Sequence, residues 1–267
     1  MKFGLSTASL FCRMNTETAL KFISDSGIGC AEVFLSTYYE YTKDFAKVLK
    51  KAKGEVDVHS IHTLNTQFEP QLYSINPRAS EDAFSMLSSV MRVAKKIDAK
   101  YYTFHGVARV KKTPYKMDYD RIGKITQRII DECKKSGVSL AYENVHWSYY
   151  NYIGFFNEVK KRTEGLKGTL DIKQARQSGI SVDEYIDEMG SDIVTVHLSD
   201  IDENGKMCLP GKGITDFDKL FSHLYDVGFD GALLIEVYTG DYGDAEELIE
   251  ACDFLDEILY KNGCLNE

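Results

Sequence analysis

Strand-like and helix-like stretches alternate eight times along this chain, and that alternation restricts the fold more than any other property of the sequence. Short apolar runs of strand character lie near 3–6, 30–35, 56–62, 100–105, 138–143, 168–171, 193–198 and 232–237. Amphipathic runs separate them, near 16–26, 43–53, 80–97, 119–136, 154–164, 181–189, 216–227 and 244–261. Leu87, Val90, Met91, Ala94 and Ile97 show the helical spacing, with charges elsewhere on the same segment. Gly27, Gly137 and Gly228 each follow a helical run, where a residue without a Cβ takes the left-handed closing conformation. Asn15 and Ser80 are candidate N-caps. Eight such units predict an α/β protein, a single (β/α)8 barrel over 1–267. An open doubly wound sheet is the competing arrangement. The glycine-rich turn that a dinucleotide fold needs after its first strand is missing, however, and SLFCRMN stands there instead.

Four of the strand-like runs, VSLAYE, GTLD, DIVTVH and ALLIE, end on Glu143, Asp171, His197 and Glu236. A charge or an imidazole at a strand end is poor material for a core. Three carboxylates and one neutral imidazole are good material for an oxygen-rich cage around one divalent ion, Mn²⁺, Mg²⁺, Co²⁺ or Zn²⁺. In a parallel barrel the carboxyl ends of the strands converge on one face, so these distant residues can meet. Glu32, His62 and His105 stand at further strand ends. One such residue alone has a bland structural explanation. Together they would repel and lose hydration unless a cation were bound.

The formal charge is −9, with 41 acidic against 32 basic residues, which disfavours a broad grip on nucleic acid. Cysteines at 12, 30, 133, 208, 252 and 264 form no CxxC, so free thiols in a reducing compartment are expected. MKFGLSTAS leads directly into a strand-like run and lacks the apolar stretch of a secretory signal. No apolar run is long enough to span a membrane. The expected address is cytoplasmic, with no membrane partner.

The segments IHT (61–63), FHG (104–106), YEN (142–144), LDIKQA (170–175), VHLSD (196–200), PGKG (210–213) and IEVY (235–238) recur in an order that resembles the xylose-isomerase-like barrels. That superfamily contains sugar isomerases and epimerases, inosose dehydratases and endonuclease IV, and the likeness covers nearly the whole chain. The resemblance implies one divalent metal on Glu143, Asp171, His197 and Glu236. It also implies, from the ketose 3-epimerase branch, that Glu143 and Glu236 exchange the substrate proton.

Endonuclease IV relatives carry three zinc ions, and here the comparison separates branches. His62, His105 and Glu143 match the ligands of one, and the quartet matches a second. The third requires a His where this chain has Gln174, and an Asp-x-His where it reads GKMCLPGKG. The third metal is therefore not expected, which weakens the case for phosphodiester cleavage.

His62 and His105 then orient sugar hydroxyl or carbonyl groups, or hold a second, looser metal. The structural alternative is that they hydrogen-bond each other or backbone carbonyls. His59, three residues before His62, is expected on the opposite strand face as a structural histidine. Epimerases with a His at position 174 use it for substrate contact, so Gln174 is placed with the substrate. Lys173 and Arg176, close to Asp171, are candidate phosphate or carboxylate contacts. Trp147, with Tyr149, Tyr150 and Tyr152, would line a carbohydrate cleft or an oligomer contact. Glu32 either contacts substrate or pairs with Lys or Arg. The long loop TLNTQFEPQLYSINPR, with Phe68, Tyr73 and Arg78, is expected to cover the site. Arg109, Lys111, Lys112 and Lys116 form a basic run for which a solvated surface cluster is the ordinary reading. His146 and His223 have no assigned role.

The expected function is a divalent-metal-dependent isomerase or epimerase of a small sugar or sugar phosphate, working through a metal-stabilised enediolate and carboxylate proton transfer. The alternatives are a metal-dependent lyase of the inosose or dehydroshikimate dehydratase type, an endonuclease IV-like phosphodiesterase, and a non-catalytic metal- or sugar-binding barrel. Similar barrels are often dimers or tetramers, so a homo-oligomer is compatible with the sequence.

Overall fold

The computed structural model describes residues 1–109 and 116–261. Lys111 and Lys112 of the basic run, and Cys264, lie outside these residues. Eight parallel strands close into a barrel: β1 (Lys2–Ser6), β2 (Cys30–Leu35), β3 (Asp57–Thr63), β4 (Tyr101–Phe104), β5 (Ser139–Glu143), β6 (Lys167–Asp171), β7 (Ile193–Leu198) and β10 (Ala232–Ile235), which returns to pair with β1. A two-residue hairpin, β8 (Asp200–Ile201) and β9 (Met207–Cys208), projects between β7 and β10. The barrel strands match the apolar runs because both faces of a parallel strand are covered, one by the lumen and one by helices.

The outer layer comprises α1 (Thr16–Asp25), α2 (Lys43–Ala52), α3 (Glu69–Leu72), α4 (Pro77–Lys96), α5 (Tyr119–Lys134), α6 (Phe155–Lys160), α7 (Ile172–Ser178), α8 (Val182–Met189), α9 (Phe217–Asp226) and α10 (Glu246–Lys261). Leu87, Val90, Met91 and Ala94 turn the buried stripe of α4 to the barrel. That helix starts before the expected Ser80. Asn76 is its N-cap, accepting from the Arg78 N–H, and Pro77 occupies the first turn, where its missing N–H costs nothing. Asn15 sits at the N-cap of α1 but makes no side-chain capping bond. Gly27, Gly137 and Gly228 take φ of +77°, +77° and +79° behind α1, α5 and α9, as the closing role requires.

Two register shifts reset the strand alternation. Between Ala31 and Glu32 the partners on β3 step from Val58 to Ser60, so His59 is the extra residue of a bulge. A matching step on β7 passes over Val194. His59 is structural as expected, but the bulge overturns its predicted outward face. Its Nε2 donates across the barrel to the Val194 carbonyl at 2.9 Å and lies 3.0 Å from Thr195 Oγ1. Burial, and secondarily the Lys2 charge, lower its pKa to about 4.

The long loop after β3 carries its own structure. Phe68 and Tyr73 are buried in the core rather than poised over the site, and Arg78 is exposed. Tyr150 is likewise a core residue, stacked on Phe155 with ring centroids 5.3 Å apart. The five cysteines among the described residues are free thiols. Among those residues no helix is long and apolar enough to cross a membrane.

Candidate metal centre

The four strand-end residues meet at the carboxyl mouth of the barrel. Glu143 and Asp171 are the last residues of β5 and β6, His197 is the penultimate residue of β7, and Glu236 follows β10 directly. His197 Nδ1 lies 3.4 Å from Glu143 Oε1, 3.7 Å from Glu236 Oε2 and 3.8 Å from Asp171 Oδ2. Ligands about 2.1 Å from a tetrahedral ion are about 3.4 Å from one another, so the spacing suits a shared cation. The donor set overlaps in two groups. Glu143, Asp171 and His197 bring ligand atoms within 4.8 Å of one another, and Glu236 does so with His197, Glu32 and His62. Glu143 Oε2, Asp171 Oδ2, Glu236 Oε2 and His197 Nδ1 are buried without a hydrogen-bond partner. Buried acceptors left open in this way fit a cation; Glu143 Oε2 also faces His105 Nε2 at 3.3 Å.

Local structure aims each ligand. Asp171 is also the N-cap of α7. Its Oδ1 accepts from the Gln174 N–H at 2.8 Å, leaving Oδ2 to face the centre. Asn144, from the YEN segment, clamps β5 to β6 by exchanging hydrogen bonds with the Asp171 backbone at 2.8 and 2.9 Å. His197 is oriented by Glu32, whose Oε1 lies 3.0 Å from Nε2. With an ion bound, a proton on Nε2 would leave the Nδ1 lone pair free for the ion, the usual arrangement behind a metal-ligating histidine.

Glu32 corrects an expectation. It pairs with neither Lys nor Arg but with two imidazoles, His197 and His62, the latter at 2.8 Å, and it accepts from Ser60 and Thr103 hydroxyls at 2.6 and 2.7 Å. An acid inside CAEVFL was the signal available in the sequence. Glu69 had no comparable signal. It is fully buried and accepts from Tyr102 at 2.6 Å, Asn65 at 2.9 Å and the His105 N–H at 3.1 Å, with His105 Nδ1 at 3.3 Å. His62 and His105 thus hydrogen-bond neither each other nor a carbonyl. His62 rests on Glu32, which it shares with His197, and His105 lies between Glu69 and Glu143, with the two rings' centroids 5.6 Å apart.

The electrostatics follow from burial and crowding. Burial raises the Glu143 pKa. It would raise Asp171 too, but the Lys173 charge and His197 hold that carboxyl low. Burial also opposes charge on His197, and Glu236 and Glu32 outweigh it, raising the imidazole pKa well above its ordinary value. His105 is raised to about 9, burial being overcome by Glu69 and then Glu143. The centre is a strongly cation-attracting pocket.

A cavity of about 340 Å³ opens over it, lined among others by His62, His105, Glu143, Trp147, Gln174 and Glu236. Trp147 stacks on His105 at 5.7 Å. Gln174 Oε1 is engaged by His146, accepting from its backbone N–H at 3.2 Å and lying 2.6 Å from Nδ1. Lys173 is buried beside the cavity, with Nζ 4.0 Å from the centre of the Tyr238 ring, and its charge faces Asp171 and Glu236. Arg176 donates to Thr215. Met207 and Cys208 form β9, and Asp200 draws the PGKG turn inward by accepting from Gly211 and Gly213 at 3.1 and 3.0 Å. His223 sits on the surface between Asp183 and Asp187.

A sequence family described as the xylose isomerase-like TIM barrel matches residues 20–258. The fold is similar to a D-tagatose 3-epimerase-like protein, with a TM-score of 0.79 at 17% identity over 98% of each chain. It is also similar to D-psicose 3-epimerase from Clostridium cellulolyticum H10, with a TM-score of 0.78 at 16% identity over 97% of this chain and 99% of that one. IOLI protein with a binding zinc atom superposes with a TM-score of 0.79 at 16% identity, over 98% of this chain and 99% of its own. No curated protein sequence matches the chain.

Proposed function

The chain belongs to the xylose isomerase-like TIM-barrel family, and from that premise we propose that it is a divalent-metal-dependent epimerase or isomerase of a small neutral ketose. The observation that carries the reading is the convergence of three buried carboxylate oxygens on His197 Nδ1 at the floor of an open cavity. Glu143, Asp171, His197 and Glu236 would hold the ion. When bound, it would polarise the sugar carbonyl and acidify the adjacent C–H.

Glu236 and Glu143 approach the cavity from β10 and β5, on either side of β6 and β7. One carboxylate therefore takes the proton and the other returns it. His62 and His105, each fixed by a buried carboxylate, orient hydroxyl groups, and Trp147 and Gln174 bound the ring. Among the described lining residues none is Lys or Arg, which supports a neutral sugar over a sugar phosphate. Similar structures that are epimerases of tagatose-like, psicose and L-ribulose type support the substrate class. Gln174, committed to His146, and the Met207–Cys208 strand argue against a third zinc and a nuclease.

The test is to incubate metal-loaded protein in deuterium oxide with a panel of ketoses and ketose phosphates and to read product mass. The reading expects one deuterium at the abstracted carbon of a neutral ketose, lost on chelation. Product lighter by one water would indicate a lyase, and cleavage of abasic duplex a nuclease.

A further inference from the structure

A second cavity, about 390 Å³, lies between the loop after β1 and the turn after β2, and the metal-site cavity shares its Phe11 and Phe34 wall. Phe34 meets His62 edge-on at 4.6 Å and Phe11 edge-on at 5.3 Å, so the aromatic wall runs from the metal centre outward. Phe11 is 41% exposed. Its loop is held in an unfavourable backbone conformation. Cys12 has φ +68°, one of two positive values at non-glycine residues among those described, and such strain collects where geometry serves a ligand. Arg13 fixes the same loop across the barrel seam, donating to the carbonyls of Thr239, Tyr242 and Gly243 at 2.5, 3.0 and 2.6 Å.

The charges in this cleft are mostly spent. Arg13 is committed to those carbonyls. Glu40 accepts from Thr16 Oγ1 at 2.8 Å and from the Ser36 and Thr37 N–H groups at 2.5 and 2.8 Å. Glu17, on the rim, disfavours an anion. What the cleft offers a ligand is the exposed faces of Phe11 and Tyr39, and the Asn15 amide, which makes no capping bond at the head of α1. Aromatic faces beside neutral hydrogen-bonding groups suit a sugar ring rather than a phosphate or a carboxylate. Each cavity alone is near the lower bound of about 300 Å³ for a small-molecule site, room for roughly one ring.

We propose that this cleft is a subsite for a second sugar ring, so that the substrate is a glycosylated ketose: its ketose end lies over the metal centre and its glycosyl ring lies across Phe11. This rests on the ketose reading above, and its test keeps the two apart. Metal-loaded protein is titrated calorimetrically with D-fructose and with two glucosyl fructoses, maltulose and isomaltulose, and deuterium uptake is read in parallel. At least one disaccharide binds about tenfold more tightly than D-fructose, and the ratio falls to about one in Asn15→Trp and in Glu17→Trp, which fill the cleft. Disaccharides that bind no better than D-fructose overturn the subsite, as does a gain that survives both substitutions. If the gain appears and is lost as expected while no sugar takes up deuterium, the subsite stands and the epimerase reading falls.

Discussion

Replacing Glu32 with Gln isolates the buried charge that stands behind His197, on the far side of its ring from Glu143 and Asp171. Glu32 is completely buried, and its Oε1 faces His197 Nε2 at 3.0 Å and His62 Nδ1 at 2.8 Å. Burial alone would raise its pKa, but the two histidines hold it well below the ordinary carboxylate range, so it is an anion. As an anion it stabilises a proton on His197 Nε2, which would leave the Nδ1 lone pair for a bound ion. The amide of Glu32→Gln keeps the volume and one acceptor, and its NH2 can donate to the Ser60 and Thr103 hydroxyls, so packing changes little. What disappears is the charge that selects the tautomer. Losing a partner of this kind weakens metal binding by roughly 10- to 100-fold, or about 1.4–2.7 kcal/mol. Competition against a chromophoric chelator measures the affinity, with a melting curve to verify the fold. Affinity equal to wild type in a folded Glu32→Gln protein would refute the claim that Glu32 aims His197.

Two further outcomes test the barrel. His59 is held neutral in the fold with a pKa of about 4 against 6.5 when unfolded, so the unfolded chain binds more protons between those values. The stability it contributes is complete above pH 6.5 and is lost as pH falls towards 4, by on the order of 3 kcal/mol. Urea midpoints of wild type and His59→Gln should therefore converge as pH falls through that window, and parallel curves would contradict the assignment. Gly4→Ala would drive a methyl into the Cys30 carbonyl and Leu234, costing about 1–3 kcal/mol, or roughly 2–10 °C in melting temperature. An unchanged melting temperature would mean that β1 and β2 are not packed as closely as described.

The barrel was legible because each strand is buried on both faces and so reads as an uninterrupted apolar run, and because helical runs fill every interval. The four strand-end residues were legible for the converse reason: a charge that terminates such a run has no place in a core. What escaped depends on neighbours that sequence does not supply. The bulge that turns His59 into the lumen exists only in the pairing of β2 with β3. Helix α7, seven residues long, is capped by the strand-end Asp171 itself and has no room for a periodic pattern. Glu69 lies in FEPQ, where no periodicity separates a buried acid from a solvated one. The loop around it was expected to cover the site; Leu64, Asn65 and Thr66 do line the cavity, while Phe68 and Tyr73 anchor the rest to the core.

The most direct test of the central claim is solvent deuterium exchange into a ketose, measured by NMR for wild type and Glu236→Gln, each with and without a stoichiometric divalent ion. The account predicts uptake at one carbon for metal-loaded wild type. It predicts none after chelation, and a loss of at least about 100-fold in Glu236→Gln, the scale of a missing proton-transfer group. Exchange that persists at the wild-type rate without metal, or with Gln at position 236, would contradict it.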